Sequence, residues 1–128
     1  MLFKESWVFV ADNTNIRWAK LFHLYKGFHR KSTTVSFFVK GSARVVEPPR
    51  IEYKGFKYKY SLRGNICRSW IIRVNYNKHS RDARVVRFNG NAGIIIKKKN
   101  IAKSKFLLGP ITRSIGRKKL LTLFKVVI

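Results

Sequence analysis

Acidic residues are nearly missing from this chain. Among 128 residues there are 5 Asp and Glu against 29 Lys and Arg, a formal net charge of +24. The five carboxylates, Glu5, Asp12, Glu47, Glu52 and Asp82, are scattered through turn-like stretches. No pair has the spacing that general acid and base work needs, which argues against an enzyme. Cysteine occurs once, at Cys67, so no intramolecular disulfide can form, and a reducing or organellar interior is expected over an extracellular home. His23, His29, His79 and Cys67 lack the paired close spacing of a zinc site, and neither a Walker-type phosphate loop nor a glycine fingerprint opening a helix is present. No metal or other cofactor is expected. Long apolar runs are missing too: the last one, 120 to 128, is short and interrupted by Lys125, whereas a membrane span needs roughly eighteen apolar residues or more. The opening residues show neither a signal-peptide hydrophobic region nor an Arg- and Ser-rich transit extension, so no import signal is expected.

What is present is a foldable, densely cationic chain. Hydrophobic residues make up 45% and aromatics 14%, too many for a disordered basic tail, so the charge sits on a folded body. By length, residues 1–128 form one domain. Self-repulsion at +24 weakens a free monomer at low salt and calls for a polyanion. Nucleic acid fits better than an anionic membrane surface, because the basic residues are spread along the chain and not gathered on one amphipathic helix. Phe, Tyr, Met, Ile, Asn and Lys, whose codons are AT-rich, supply 53 residues against 29 from Gly, Ala, Arg and Pro. With the import signal missing, that bias predicts a protein encoded and translated inside an organelle, most simply a mitochondrion.

The local patterns read as strands. Trp7 to Val10 is a short β-type run that stops at the turn-forming cluster Ala11-Asp12-Asn13-Thr14-Asn15. Arg17 to Lys26 shows moderate period-two alternation, and Thr33 to Lys40 reads as a third strand that Gly41-Ser42 ends or bends. Between them, Lys26-Gly27-Phe28-His29-Arg30-Lys31 combines cations with an aromatic, a mixture suited to neutralising phosphates while stacking on a base. Tyr53-Lys54-Gly55-Phe56-Lys57-Tyr58-Lys59-Tyr60 alternates aromatic and cationic residues, as would a ribbon with one stacking and one basic face. Ile66 to Val74 carries apolar groups on both parities, as in a closed barrel with a covered exterior, and places Cys67 in the core as an unreactive small hydrophobe. Val85 to Phe88 and Ala92 to Ile96 flank Asn89-Gly90, the pattern of a tight hairpin, and the second run ends in Lys97-Lys98-Lys99. Pro110 can open one short helical turn, and Leu120 to Val127 reads as a final strand. About six short strands and little helix indicate a small all-β barrel.

Five separated segments agree in order with one family. Ala11-Asp12-Asn13-Thr14, Gly27-Phe28-His29-Arg30-Lys31, Arg63-Gly64-Asn65, Arg87-Phe88-Asn89-Gly90-Asn91-Ala92 and Gly109-Pro110-Ile111-Thr112-Arg113 resemble the signature segments of the universal large-subunit ribosomal protein fourteen family. The resemblance spans nearly the whole chain. It implies a small closed five-stranded β-barrel with a projecting β-ribbon and short C-terminal helical turns. It also implies binding to large-subunit ribosomal RNA at the face that meets the small subunit. A neighbouring large-subunit protein, small-subunit RNA at an intersubunit bridge and a ribosome-silencing factor are the further partners it implies. The departures have a direction: Asn65, Asn89 and Ser114 stand where the family has acids, which eases approach to phosphate. The stretch from Val45 to Leu62, with its ribbon, is longer than the family's.

The cations expected on RNA are Arg17, Lys26, His29, Arg30, Lys31, Arg44, Lys54, Lys57, Lys59, Arg87, Lys97, Lys98 and Lys99. Those that the resemblance places at the subunit interface are Lys105, Arg113, Arg117, Lys118 and Lys119. A second reading is a free single-stranded nucleic-acid-binding barrel with Phe28, Tyr58 and Tyr60 as stacking platforms.

Overall fold

The computed structural model describes residues 1–25, 27, 29–48, 61–79, 83–97, 101–104, 106–115 and 118–128, without the side chains of 118 and 119. The 53–60 ribbon lies outside the described residues.

Among the described residues, β-branched and aromatic residues dominate nine strands in chain order. They are β1 (Leu2–Phe3), β2 (Trp7–Val10), β3 (Ile16–His23), β4 (Ser32–Thr33), β5 (Phe38–Val46), β6 (Ile66–Arg73), β7 (Lys78–His79), β8 (Val85–Val86) and β9 (Ala92–Ile95). Five of them close into a barrel in the order β2-β3-β5-β6-β9. The seam is a parallel pairing of β2 with β9, Phe9 opposite Ala92 and Val10 opposite Gly93. Closure removes exposed strand edges. It also gives β6 its two apolar faces: Ile71 and Ile72, neighbours on opposite parities, are both fully buried. The five-stranded barrel expected from the resemblance is therefore present, and strands dominate the described residues.

Asp12 holds the seam from inside. It is fully buried; one carboxylate oxygen accepts the backbone N–H of Ile95 at 2.9 Å. The other accepts the N–H of Thr14 at 3.0 Å and the Thr14 hydroxyl at 2.5 Å. The Asp-Asn-Thr turn thus ties the end of β2 to β9. Cys67 lies in the same interior layer with Val10, Ile16, Ala19, Ala43 and Ile95. Desolvation pushes its thiol above the ordinary range. Labelling of Cys67 in the folded chain should accordingly be slow beside that of the unfolded chain. Cys67→Ser should cost about 1 to 3 kcal/mol through a buried hydroxyl while leaving RNA binding unchanged. Thermal unfolding and a thiol-labelling time course measure the two effects, and rapid labelling of the folded chain would contradict the placement.

Four local expectations are corrected. Asn89-Gly90 does not close a hairpin: β8 pairs with β7, whereas β9 enters the barrel between β6 and β2. Neither Asn89 nor Gly90 takes a positive φ. The barrel supplies the backbone partners a hairpin would have supplied, since Phe88 N–H donates to the Val74 carbonyl and Phe9 N–H to that of Asn91. Gly41 does not end its strand, because β5 runs through it to Val46, with a register irregularity against β3 between Gly41 and Lys40. The period-two pattern of β3 is broken by register shifts on either side of Trp18, so Ile16, Ala19 and Leu21 all face inward. Leu120 to Val127 is not a strand: a helical turn, α1 (Lys118–Leu121), precedes a single parallel bridge from Val127 to Ile111. Leu120 and Phe124 are both buried against the barrel core.

Candidate nucleic-acid interface

The small sheet of β1 and β4 assembles a site that the linear chain does not show. Leu2 and Thr33 are its buried anchors, paired across the sheet, and Phe3 sits opposite Ser32. This pairing carries Phe3 and Lys4 across to the 29–31 loop. Phe3, Lys4, His29, Arg30 and Lys31 line an open groove of about 360 Å³. Arg30 is held in place at two points: its Nε donates to the Ser32 carbonyl at 2.9 Å, and its guanidinium lies 4.3 Å over the Phe37 ring. Phe3 is 52% exposed. A fixed guanidinium, two lysines and an open aromatic edge make a surface on which phosphates are neutralised and a base can stack. Lys26, at the start of the same loop, and Phe28 lie outside the described residues.

A second open depression, of about 280 Å³, is lined by Asn75, Tyr76, Asn77, His79 and Arg87. Arg87 is exposed and oriented by a 3.0 Å bond from its Nε to Asn75 Oδ1. Asn91 Oδ1 accepts the Asn75 N–H at 2.9 Å, which locks the floor of this depression to the entrance of β9.

The remaining expected cations divide. Arg17 makes a two-point ion pair with Glu47, its Nε and Nη2 at 2.7 and 2.8 Å from the two carboxylate oxygens. Arg44 is exposed on β5. Lys97 is exposed directly after the buried Ile94-Ile95-Ile96, with its N–H donating to Ile101. Lys98, Lys99, Lys54, Lys57 and Lys59 lie outside the described residues, as do Tyr58 and Tyr60.

Over residues 1–127 the chain matches the family described as Ribosomal protein L14p/L23e. The chain belongs to that family. Its members are structural, non-enzymatic proteins of the large ribosomal subunit, where they bind ribosomal RNA and other ribosomal proteins. The chain's place is accordingly the ribosome.

In this L14p/L23e chain the C-terminal segment is docked by a residue that the sequence does not single out. Arg73, at the end of β6, is half-buried and reaches 35 residues on, donating from Nη1 to the Leu108 carbonyl at 2.8 Å and to that of Pro110 at 3.3 Å. Burial lowers the pKa of its guanidinium, which nonetheless stays charged at any physiological pH. Gly109, at φ +81, lies against that guanidinium so closely that a Cβ would collide with it. The Gly109-Pro110 turn is thus a cradle for Arg73. Beyond it, Arg113 is exposed in a 3-10 turn (Arg113–Ile115) whose position is secured by Arg113 N–H donating to the Ile128 carbonyl. Lys105 and Arg117 lie outside the described residues, and of Lys118 and Lys119 only their place in α1 is described. Phe3, Lys4 and Arg73 are the residues sequence reasoning missed. For the first two the signal would have been the pairing of β1 with β4, which two-residue strands do not announce.

Proposed function

We propose that this chain anchors large-subunit ribosomal RNA through the groove between β1 and the 29–31 loop, assisted by Arg44, Arg87 and the lysines that begin at Lys97. Its C-terminal segment then meets small-subunit RNA across the subunit interface and contributes to an intersubunit bridge. The observation that carries the reading is the convergence of Lys4, His29, Arg30 and Lys31 around one open groove beside an exposed Phe3 ring. Phosphate contacts of this kind position a protein on RNA without reading sequence, and the barrel fixes where the charges stand. The residue composition, weighted towards AT-rich codons, supports a mitochondrial large subunit as its home. A ribosome-silencing factor is a further partner for the same C-terminal face.

Two sets of substitutions separate anchoring from joining. Neutralising Lys26, His29, Arg30, Lys31 and Lys97 to Lys99 should block incorporation into large subunits. Neutralising Lys105, Arg113, Arg117, Lys118 and Lys119 should leave incorporation largely intact and weaken association with small subunits, most visibly at raised salt. Density gradients that score large-subunit occupancy and the joined fraction separately measure both. Loss of incorporation with the C-terminal set, or joining untouched at every salt concentration, would refute the division.

A further inference from the structure

The depression beside β7 and β8 differs in chemistry from the groove at β1. Residues 75–77 connect β6 to β7, and β8 pairs back on β7, with Lys78 opposite Val86 and His79 opposite Val85. This short pairing returns Arg87 to the foot of the connection, where the next residue, Phe88, donates its N–H to the Val74 carbonyl at 3.3 Å. Asn75, Tyr76, Asn77, His79 and Arg87 consequently line one open space of about 280 Å³. All five are exposed.

What these residues can hold follows from which of their polar groups are already engaged. Asn75 Oδ1 accepts the Arg87 Nε–H at 3.0 Å, and the Asn75 backbone N–H is held by Asn91 Oδ1 at 2.9 Å. The Asn75 carboxamide is therefore set with its oxygen towards Arg87, which leaves Nδ2 as an oriented donor. Arg87, bonded through Nε, keeps the two terminal nitrogens of its fork for an anion. The Asn77 carboxamide makes no hydrogen bond to a described residue, so it offers a donor and an acceptor together. Tyr76, 44% exposed, has no ring stacked on it among the described residues. Neutralising phosphate takes cations, and the groove at β1, with Lys4, His29, Arg30 and Lys31, is built of them. This depression has one Arg and two uncharged carboxamides instead. Carboxamides pair with the donor and acceptor edges of nucleobases, and a base outside a helix stacks on an aromatic ring while its edge is hydrogen-bonded.

We propose that this depression reads the base of one unpaired nucleotide in single-stranded ribosomal RNA. Tyr76 stacks on that base, Asn75 Nδ2 and the Asn77 carboxamide pair with its edge, and Arg87 takes its phosphate. The site thereby adds sequence discrimination to a chain whose phosphate contacts are indifferent to sequence. The inference rests on the chain's binding of ribosomal RNA and is independent of which groove neutralises the backbone.

Single RNA strands of about nine residues, abasic except at the centre, test it. Placing A, C, G or U at that centre changes the base while every strand keeps the same phosphates. Fluorescence anisotropy across a salt series measures binding to the full chain. The tightest and weakest of the four strands should differ by about tenfold, the discrimination of one good base contact. That ratio should persist as salt lowers all four affinities together. Asn77→Ala, which removes no bond within the described fold, should shrink the ratio to about twofold or less and leave the salt slope unchanged. Tyr76→Ala should weaken all four strands by about tenfold, towards the affinity of a fully abasic strand. Equal affinities of the four strands for the unaltered chain would overturn the proposal, as would a ratio that survives Asn77→Ala. A ratio lost in Phe3→Ala would place base recognition in the groove at β1 and overturn it too. The Lys4→Gln, Lys31→Gln double variant keeps the two readings apart: it should make the slope shallower and keep the ratio. An unchanged slope there, with the ratio intact, would support this site and count against the proposed RNA groove.

Discussion

Between about 50 and 200 mM salt, binding of this chain to naked large-subunit RNA should weaken by roughly a thousand-fold or more, if it neutralises on the order of six to ten phosphates. The expectation follows from the charge: even with every acid paired to one cation, 24 positive charges have no carboxylate partner. Each phosphate neutralised releases counterions whose return becomes favourable as salt rises, so the logarithm of affinity falls linearly with the logarithm of salt concentration. The groove makes the expectation residue-specific. Converting Lys4 and Lys31 to Gln removes two of its cations without touching the anchored Arg30. The slope should then become shallower by about 1.4 to 1.8, from the per-phosphate values for single strands and duplexes. Neutralising Arg17, already paired with Glu47, should change the slope far less. Filter binding across a salt series measures all three; a nearly flat response of the unaltered chain would rule out the electrostatic mechanism. An unchanged slope in the double variant would move the contact away from this groove.

The second large effect concerns stability and turns on a glycine in mid-strand. A Cβ on Gly41 would lie 2.7 Å from the Lys20 carbonyl oxygen and 3.2 Å from its carbon, both rigid backbone of the neighbouring strand β3. Real Cβ atoms do not approach so closely, so Gly41→Ala must push β5 off β3. Displacing paired strands in a closed barrel disturbs every seam around the ring, and a loss of about 3 kcal/mol is expected, at the upper end of overpacking effects. Gly90→Ala is the contrast: nothing lies within 4 Å of its added Cβ, and its φ is not positive. That substitution should be neutral within about 0.5 kcal/mol, as for ordinary surface changes. Thermal unfolding of the two variants at one salt concentration decides the matter. Equal stability of the two variants would show that β5 can yield at Gly41.

These two glycines also mark what sequence reasoning could reach. Asn89-Gly90, flanked by apolar runs, has the form of a hairpin turn, and local chemistry points there alone. In the folded chain it is an ordinary connection, because β9 finds longer partners in β6 and β2 than β8 could offer. Gly41 has no local signature, since its necessity comes from a strand more than fifteen residues away. The same reasoning covers the C-terminal segment. Leu120 to Val127 is apolar enough for a strand, yet the barrel is already closed when the chain reaches it, so α1 and one bridge from Val127 cover the barrel instead.

What the sequence by itself determined was composition-level and motif-level. The scarcity of acids dictated a polyanionic partner, the both-sided apolar pattern from Ile66 to Val74 dictated a covered strand with Cys67 inside, and the ordered signature segments pointed to a ribosomal family and a five-stranded barrel. Tertiary structure alone decided which cations stand together. It brought Phe3 and Lys4 to Arg30 and Lys31 through β1 and β4, set Arg73 into the Gly109-Pro110 turn, and paired Glu5 with Lys20 and Glu47 with Arg17. The physical reason is that charge counts and apolar periodicity are sums over local residues, whereas strand partnership depends on backbone hydrogen bonds between segments far apart in the chain. Residues that no local pattern connects become neighbours only when the barrel closes.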